Sequence, residues 1–461
     1  MTISGVCLLI GFIILAALMA LRLLPTLLAL PLMAAWFAGV SGISFAGWLN
    51  DVLLSGSFRL AAPIVLVVFG AMFARVVQKT GISEAIVRNA AELAGDRPIA
   101  IAFLLTATTA FVFLGLSGLG GVIMVGSIAL PVMTGAGISP VDAAALVLFG
   151  VVVAGAANVA SYGTLIGLFG GDAALSYYLP NVAITIVVTV VYILRNIPRG
   201  SGDGSLYALI REFFVGLLSV PSSLVRALGA MFSSGPAPLV KKKRTLPAAA
   251  LIAPILPLVV IAVLRACVGL GKAADGQIDP VAAAALGFLA ASFYAAILTN
   301  PRRTVDILAG ALVEGIQDIA GVLFLFMGIG MLVAATTHPA AADFLRDTLS
   351  ALLPSSLTGL FLFFAVFAPA ALYRGPLNLY GMGAGVAALL MGMGTFPAAA
   401  LCGMFIAVGY IQTIADPTNS HNTWIGGFVG VDTAAILRRV LPYGWAMCLL
   451  MLAYAFFMSR G

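Results

Sequence analysis

The chain has 461 residues, 62% of them hydrophobic and 9% charged, with a formal net charge of +6 and a mean hydropathy of +1.15. Soluble domains carry about 25% charged residues, so the charges here are too few to coat a water-facing surface. A polytopic, all-α membrane protein remains. A β-barrel is excluded too, because barrel strands alternate apolar and polar residues and the apolar runs here are continuous.

Apolar runs near the ~20-residue spanning length lie at Val6–Leu21, Thr26–Val40, Leu60–Val77, Ile99–Leu114, Gly121–Val132, Ala143–Val159 and Val182–Leu194. The second half supplies Ala248–Leu264, Val281–Ile297, Ile319–Ala334, Leu357–Ala371, Met382–Met393, Ala398–Ile414 and Gly444–Phe457. No Lys or Arg precedes the first run, which reads as a span and not as a secretory leader. Gly121–Val132 and Met382–Met393 are too short to cross. Each follows a Gly-rich turn and another apolar run, which predicts two re-entrant hairpins.

The long polar stretch 196–245 ends in Lys241-Lys242-Lys243-Arg244 and predicts a cytoplasmic linker, amphipathic and basic, lying on the membrane surface. It separates a first membrane repeat, residues 1–195, from a second, residues 246–461. The repeat has an offset of about 257 residues: Thr80 falls on Thr337, Gly118 on Gly375, Gly126 on Gly383 and Pro140 on Pro397, and Gly167–Asp172 meets Gly427–Asp432. With three spans, a hairpin and two more spans per repeat, the number of crossings is odd, so the second copy is inverted. Placing Lys241–Arg244 inside then also places Arg22, Arg75–Arg97, Arg302-Arg303 and Arg438-Arg439 inside, as the positive-inside rule requires. The expected architecture is about ten transmembrane helices, two hairpins and two broken helices.

Four segments carry candidate chemistry. The first hairpin tip, Gly115 to Gly121, offers Ser117 and Gly118, where glycines let backbone approach a ligand. The second tip, Tyr373 to Gly381, offers Arg374 and Asn378. A guanidinium between two apolar runs is costly, and its fork matches a carboxylate. The first helix break, Ala157 to Thr164, offers Asn158, Ser161 and Thr164; its unwound carbonyls and hydroxyls are suited to Na⁺ or a substrate. The second break follows a strongly apolar helix. From Ala415 to Thr423 no aliphatic side chain is larger than Ala, and Pro417 removes a backbone donor. Here Thr418 and Asn419 are candidate substrate contacts, while Asp416 and His421 are candidates for ion or proton coupling.

Other acids have plainer roles. Asp142, Asp172 and Asp432 sit where acids open helices, and Glu314 and Asp318 fall on an interfacial stretch after Arg302-Arg303. Cys7, Cys267, Cys402 and Cys448 lie in apolar runs at no metal or redox spacing. With two histidines a His-rich metal site is excluded. No catalytic triad order or phosphate-binding loop is evident, so transport is expected, not catalysis, with no cofactor beyond a coupling Na⁺ or H⁺.

The order of repeat, hairpin and broken helix resembles the ion transporter superfamily, which includes divalent anion/sodium symporters and the citrate, gluconate and lactate permeases. In its dicarboxylate members a Ser-Asn-Thr motif occupies both tips. Here the first tip has Ser117 and the second Arg374 and Asn378, a departure from the sodium-dicarboxylate pattern. The resemblance implies that Ser117, Asn378 and the two breaks meet the substrate, and that hairpin domains move as an elevator against a homodimeric scaffold. The expected protein is a secondary transporter of a small organic anion, a carboxylate, in a bacterial inner membrane. Its partners are that anion and the bilayer, with no nucleic acid; a Na⁺/H⁺ antiporter on the same scaffold is the alternative.

Overall fold

A computed structural model of the chain describes residues 3–21, 23–93, 97–115, 118–198, 246–269, 279–341, 354, 356–380 and 383–460. The expected basic linker therefore lies outside the described residues, apart from its first three positions. Every regular element among the described residues is helical. Among the described residues, eight helices are long and apolar enough to cross a membrane, and the protein is an all-α polytopic membrane protein. Three of the expected spans, Val6–Met19, Thr26–Val40 and Ala249–Leu264, are shorter apolar helices.

The first half runs α1 (Ile3–Ala20), α2 (Thr26–Val40), α3 (Phe45–Lys79), α4 (Ile82–Leu93), α5 (Pro98–Phe113), α6 (Gly118–Gly135), α7 (Pro140–Ala157), α8 (Val159–Phe169) and α9 (Gly171–Asn196). After the linker come α10 (Leu256–Gly269), α11 (Pro280–Thr299), α12 (Pro301–Thr337), α13 (Leu357–Phe367), α14 (Gly383–Met393), α15 (Ala398–Ala415), α16 (Ser420–Val429) and α17 (Thr433–Met458). The succession of a long helix, two hairpin arms, a helix interrupted at one end and a closing helix occurs in both halves.

The first amides of a helix have no intrahelical acceptor, and side-chain caps satisfy them. Ser139 opens α7 by accepting the Asp142 amide at 3.1 Å, with Pro140 preset in the first turn. Asp279 caps α11 through the Val281 amide at 2.7 Å. Ser356 caps α13 through Gly359 at 3.0 Å, and Asp432 caps α17 through Ala434 at 3.1 Å.

Two groups of helices pack into one core. In the first, α3 and α12 cross at small residues, as helices without a hydrophobic driving force between them do. A Cβ on Gly330 would stand 2.2 Å from the Gly56 carbonyl oxygen, and one on Gly315 would stand 2.9 Å from the Met72 amide nitrogen. The same pair carries Arg75 on Asp318 and Lys79 on Glu314 at 2.6 Å. Glu314 and Asp318 lie within α12 and pair with α3. Half-exposed pairs of this kind contribute about 0–1 kcal/mol, so they set register more than stability.

The second group contains the hairpins, the interrupted helices, α9 and α17. It meets the first where Gly163 and Gly167 of α8 press on Pro63 of α3. At one end, Asp142 does more than complement a helix dipole. Its carboxylate accepts from Ser139, from the Tyr192 hydroxyl and from Arg439 Nε, the last two at 2.7 Å. This ties α7 and α9 of the first half to α17 of the second.

Two sequence boundaries shift. The second arm of the first hairpin covers Gly118–Gly135 and is long enough to cross a membrane, although its apolar run is shorter; glycines and Thr134 at the ends continue the helix. α3 begins at Phe45, well before the run at Leu60. Its segment Trp48–Ser55 is a π-helical stretch, beside which the Ser55 and Ser57 hydroxyls donate to the Asn50 and Leu53 carbonyls at 2.7 and 2.5 Å.

Candidate functional site

The two helix breaks share one backbone geometry. α7 ends at Asn158 with φ −77° and ψ 118°, and α15 ends at Asp416 with φ −69° and ψ 110°. Both are extended, so each helix stops after one residue leaves the helical region. The first break is narrower than the sequence predicts: Ser161 and Thr164 already lie within α8. Isolated hydroxyls do not unwind a helix when their neighbours hold it.

Each break residue then turns its side chain onto the hairpin of its own half. Asn158 Nδ2 donates to the Phe113 carbonyl, at the end of the first hairpin's leading arm, at 3.2 Å. Asp416 accepts from Asn378 Nδ2 of the second tip at 3.5 Å, and from the Thr418 amide and hydroxyl at 2.9 and 2.7 Å. Asp416 is 2% exposed and Asn158 7%. The carbonyls freed by the breaks find donors: Tyr178 hydroxyl on Ala157 at 2.7 Å, Asn422 Nδ2 on Ile414 at 3.0 Å and Thr423 hydroxyl on Pro417 at 3.2 Å. Buried backbone at such a break is tolerated only on these terms.

The second tip is built by its own residues. Tyr373 has φ 56°, a left-handed conformation unusual for an aromatic residue and a mark of local strain. Asn378 accepts the Tyr380 amide at 2.9 Å and donates to the Ala371 carbonyl at 3.2 Å. A Cβ on Gly383 would stand 2.5 Å from the Asn378 carbonyl oxygen, so the chain closes this tightly only with glycine there. Arg374 ends the 3₁₀ turn Ala368–Arg374; its side chain lies outside the described residues. Ser117, at the first tip, lies outside them as well.

Contacts also run crosswise between halves. The Thr164 hydroxyl of α8 lies 3.5 Å from the Tyr380 hydroxyl of the second tip. From the other side, His421 on α16 and Gly118 at the first tip line one cavity. Gly126 of the same hairpin meets Trp424, which a Cβ would approach to 2.6 Å. α16 starts where Asn419 accepts the His421 amide at 3.3 Å, which fixes the imidazole one turn from the break.

A cavity of about 270 Å³ opens between these parts. Of the candidates read from sequence, Gly118, Asn158, Ser161 and His421 line it. Thr164, Asn378, Thr418, Asn419 and Asp416 are not among the described lining residues: Asp416, Thr418 and Asn378 form one cluster, Thr164 meets Tyr380, and Asn419 caps α16. Sequence reasoning missed Tyr162, Asn181, Tyr380, Tyr410, Gln412 and Thr413, which also line the cavity. Gly409, Gln412 and Thr413 recur at helical spacing on the last turns of α15, a small-and-polar face that the sequence did carry. Among the described lining residues none is Lys, Arg, Asp or Glu. Among the described residues, no group of three or more His, Cys, Asp or Glu could hold a metal ion.

Paired hairpins and interrupted helices surround a shared cavity with polar and apolar walls. The fold is similar to the crystal structure of the Alcanivorax borkumensis YdaH transporter, described there as having an unusual topology. The likeness has a TM-score of 0.63 at 15% identity and covers 94% of this chain and 98% of that one. At this identity it establishes the shared fold. No protein-family model matches the sequence, and no curated protein matches it.

Proposed function

We propose that the protein is a secondary active transporter that moves a small organic anion, a carboxylate, coupled to H⁺ or Na⁺. The observation that carries this reading is the cavity lined by both hairpins and by both interrupted helices. A site made jointly by the two halves changes its exposure when one part rocks against the other, as alternating access requires. Likeness of fold to a transporter supports it. Arg374, at the second tip, is the proposed cation for the carboxylate, with Ser117 and Asn378 on the two tips. Asp416 and His421 are the proposed coupling groups, one clustered with Thr418 and Asn378 and one in the cavity wall. A bacterial inner membrane, a homodimer and an elevator motion belong to the same proposal.

A second reading, Na⁺/H⁺ exchange, is favoured by Asp416, a carboxylate 2% exposed and set among hydroxyl and amide groups. Proteoliposomes loaded with a pH-sensitive dye separate the two. Lumen acidification that requires one carboxylate establishes proton-coupled symport. A pH change driven by Na⁺ alone establishes exchange, and labelled uptake driven by Na⁺ without proton movement establishes sodium symport. Arg374→Ala is expected to raise the apparent KM for the carboxylate roughly tenfold or more; an unchanged KM removes Arg374 from the site.

A further inference from the structure

Three of the cavity's polar side chains form one chain of hydrogen bonds. The Tyr410 hydroxyl donates to Asn181 Oδ1 at 2.6 Å, and Asn181 Nδ2 donates to the Tyr162 hydroxyl oxygen at 2.7 Å. All three are buried and all three line the cavity. An amide turned between two hydroxyls offers one acceptor and one donor. One tyrosine must therefore accept, and it keeps its own hydroxyl hydrogen. In this arrangement it is Tyr162, whose hydrogen has no acceptor among the described residues. A buried donor without a partner is costly, and the cavity is where an acceptor can come from. Gln412 adds to this polar region, since its Oε1 is buried without a partner.

The lining also has apolar members. Val151 and Val152 stand about two turns before the break on α7, and Phe405 and Ile406 stand about three turns before the break on α15. Leu165 and Phe113 extend the same surface. A hydroxyl set against these side chains would lose its water and gain no partner, which costs roughly tenfold in affinity for each group stranded. A second carboxylate would need a cation besides Arg374, the one proposed for the first, and no described lining residue is Lys or Arg. The cavity, about 270 Å³, is also smaller than the roughly 300–1,000 Å³ of sites for drug-sized ligands.

We infer that the cargo is a small monocarboxylic acid with an apolar body, and that Tyr162 is the specificity-determining donor to its carboxylate. The oxygens sit at the helix breaks on Tyr162, with the Tyr410–Asn181 pair holding that hydroxyl in place. The body lies along Val151, Val152, Phe405 and Ile406. Polyhydroxylated acids and di- or tricarboxylates are disfavoured by the same surfaces. This rests on the transport reading for its biological sense, but binding can be measured without it.

The test is calorimetric binding to the purified full chain in detergent, with phenylacetate and hexanoate against succinate, citrate and gluconate. The expected result is that the first two bind at least tenfold more tightly than the other three. Tyr162→Phe should weaken both roughly tenfold, and Tyr410→Phe should weaken them less, because Asn181 still donates to Tyr162. Val152→Thr, nearly isosteric, should narrow the preference for hexanoate over succinate while leaving the folded yield unchanged. Equal or tighter binding of succinate, citrate or gluconate overturns the inference, as does absence of binding by all five. A larger loss in Tyr410→Phe than in Tyr162→Phe overturns the assignment of the donor. Binding of phenylacetate or hexanoate without gradient-coupled flux in liposomes would leave the inference standing and remove the transport reading; flux of citrate or gluconate alone would do the reverse.

Discussion

Asn158 and Asp416 hold the same backbone shape at equivalent places in the two halves, yet they carry different chemistry. Asn158 is a neutral donor whose amide secures a carbonyl of the first hairpin. Asp416 is an acceptor that gathers Thr418 and Asn378 around a buried charge-bearing group. Geometry alone is thus not what distinguishes the halves. A break can be made with either residue, because what ends the helix is one extended φ/ψ pair whose freed carbonyls find local donors. The difference lies in what can titrate or hold a cation, and an acid at membrane depth is retained at a cost that a structural break does not need. The second half is accordingly the half in which coupling is proposed.

The comparison breaks most directly at Asp416. Asp416→Asn makes the two breaks chemically alike and preserves acceptance from Thr418. On the proposed cycle, uptake driven by the ion gradient falls to background while the folded yield is retained, as read in proteoliposomes against size-exclusion profiles. Retention of gradient-driven uptake would move coupling elsewhere. A smaller effect is expected at the second tip. Asn378→Ala removes a side chain, 3% exposed, that satisfies both the Tyr380 amide and the Ala371 carbonyl, and the loss is about 2–3 kcal/mol. Asn158→Ala strands the Phe113 carbonyl and costs about 1–2 kcal/mol. Thermal unfolding in detergent ranks the two. If Asn158→Ala proves the more damaging, the first hairpin depends on its break more than the second depends on its own tip.

How much of this was legible in the sequence differs between the two breaks for a physical reason. The second announces itself because Asp416 to Asn419 interrupts an apolar helix with residues that prefer caps and turns, although Ser420 to Thr423 are already helical in α16. The first does not, since Ser161 and Thr164 are tolerated within α8 and Asn158 alone departs from helix. The helical class and the order of elements follow from continuous apolar runs and from glycine, whereas the length of α6, enough to cross, was not legible in its shorter apolar run. Tyr162, Asn181 and Tyr410 escaped notice because each is a single polar residue on an apolar helix, and what unites them is a contact between α8, α9 and α15. Arg439 read as a topology marker from its sign, whereas its partner Asp142 lies 297 positions away and a pairing at that range leaves no local pattern.

The crosswise contacts give the finest test of whether the halves are equivalent. Thr164 and Tyr380 join the first half's α8 to the second tip at 3.5 Å, near the limit of a useful hydrogen bond. Gly126 of the first hairpin packs on Trp424 of the second half's α16, and His421 of α16 lines the cavity with Gly118 of the first tip. Thr164→Val is nearly isosteric and removes only the hydroxyl, so its cost is about 0.5 kcal/mol, a small shift in unfolding temperature. His421→Leu removes the imidazole that lines the cavity. If the crosswise contacts only brace the fold, both variants shift unfolding slightly and leave uptake unchanged. If His421 serves coupling as proposed, His421→Leu abolishes gradient-driven uptake while Thr164→Val leaves it within about twofold. Equal losses of uptake in the two would make the crosswise contacts, and not the ionisable side chain, the element that the transport cycle needs.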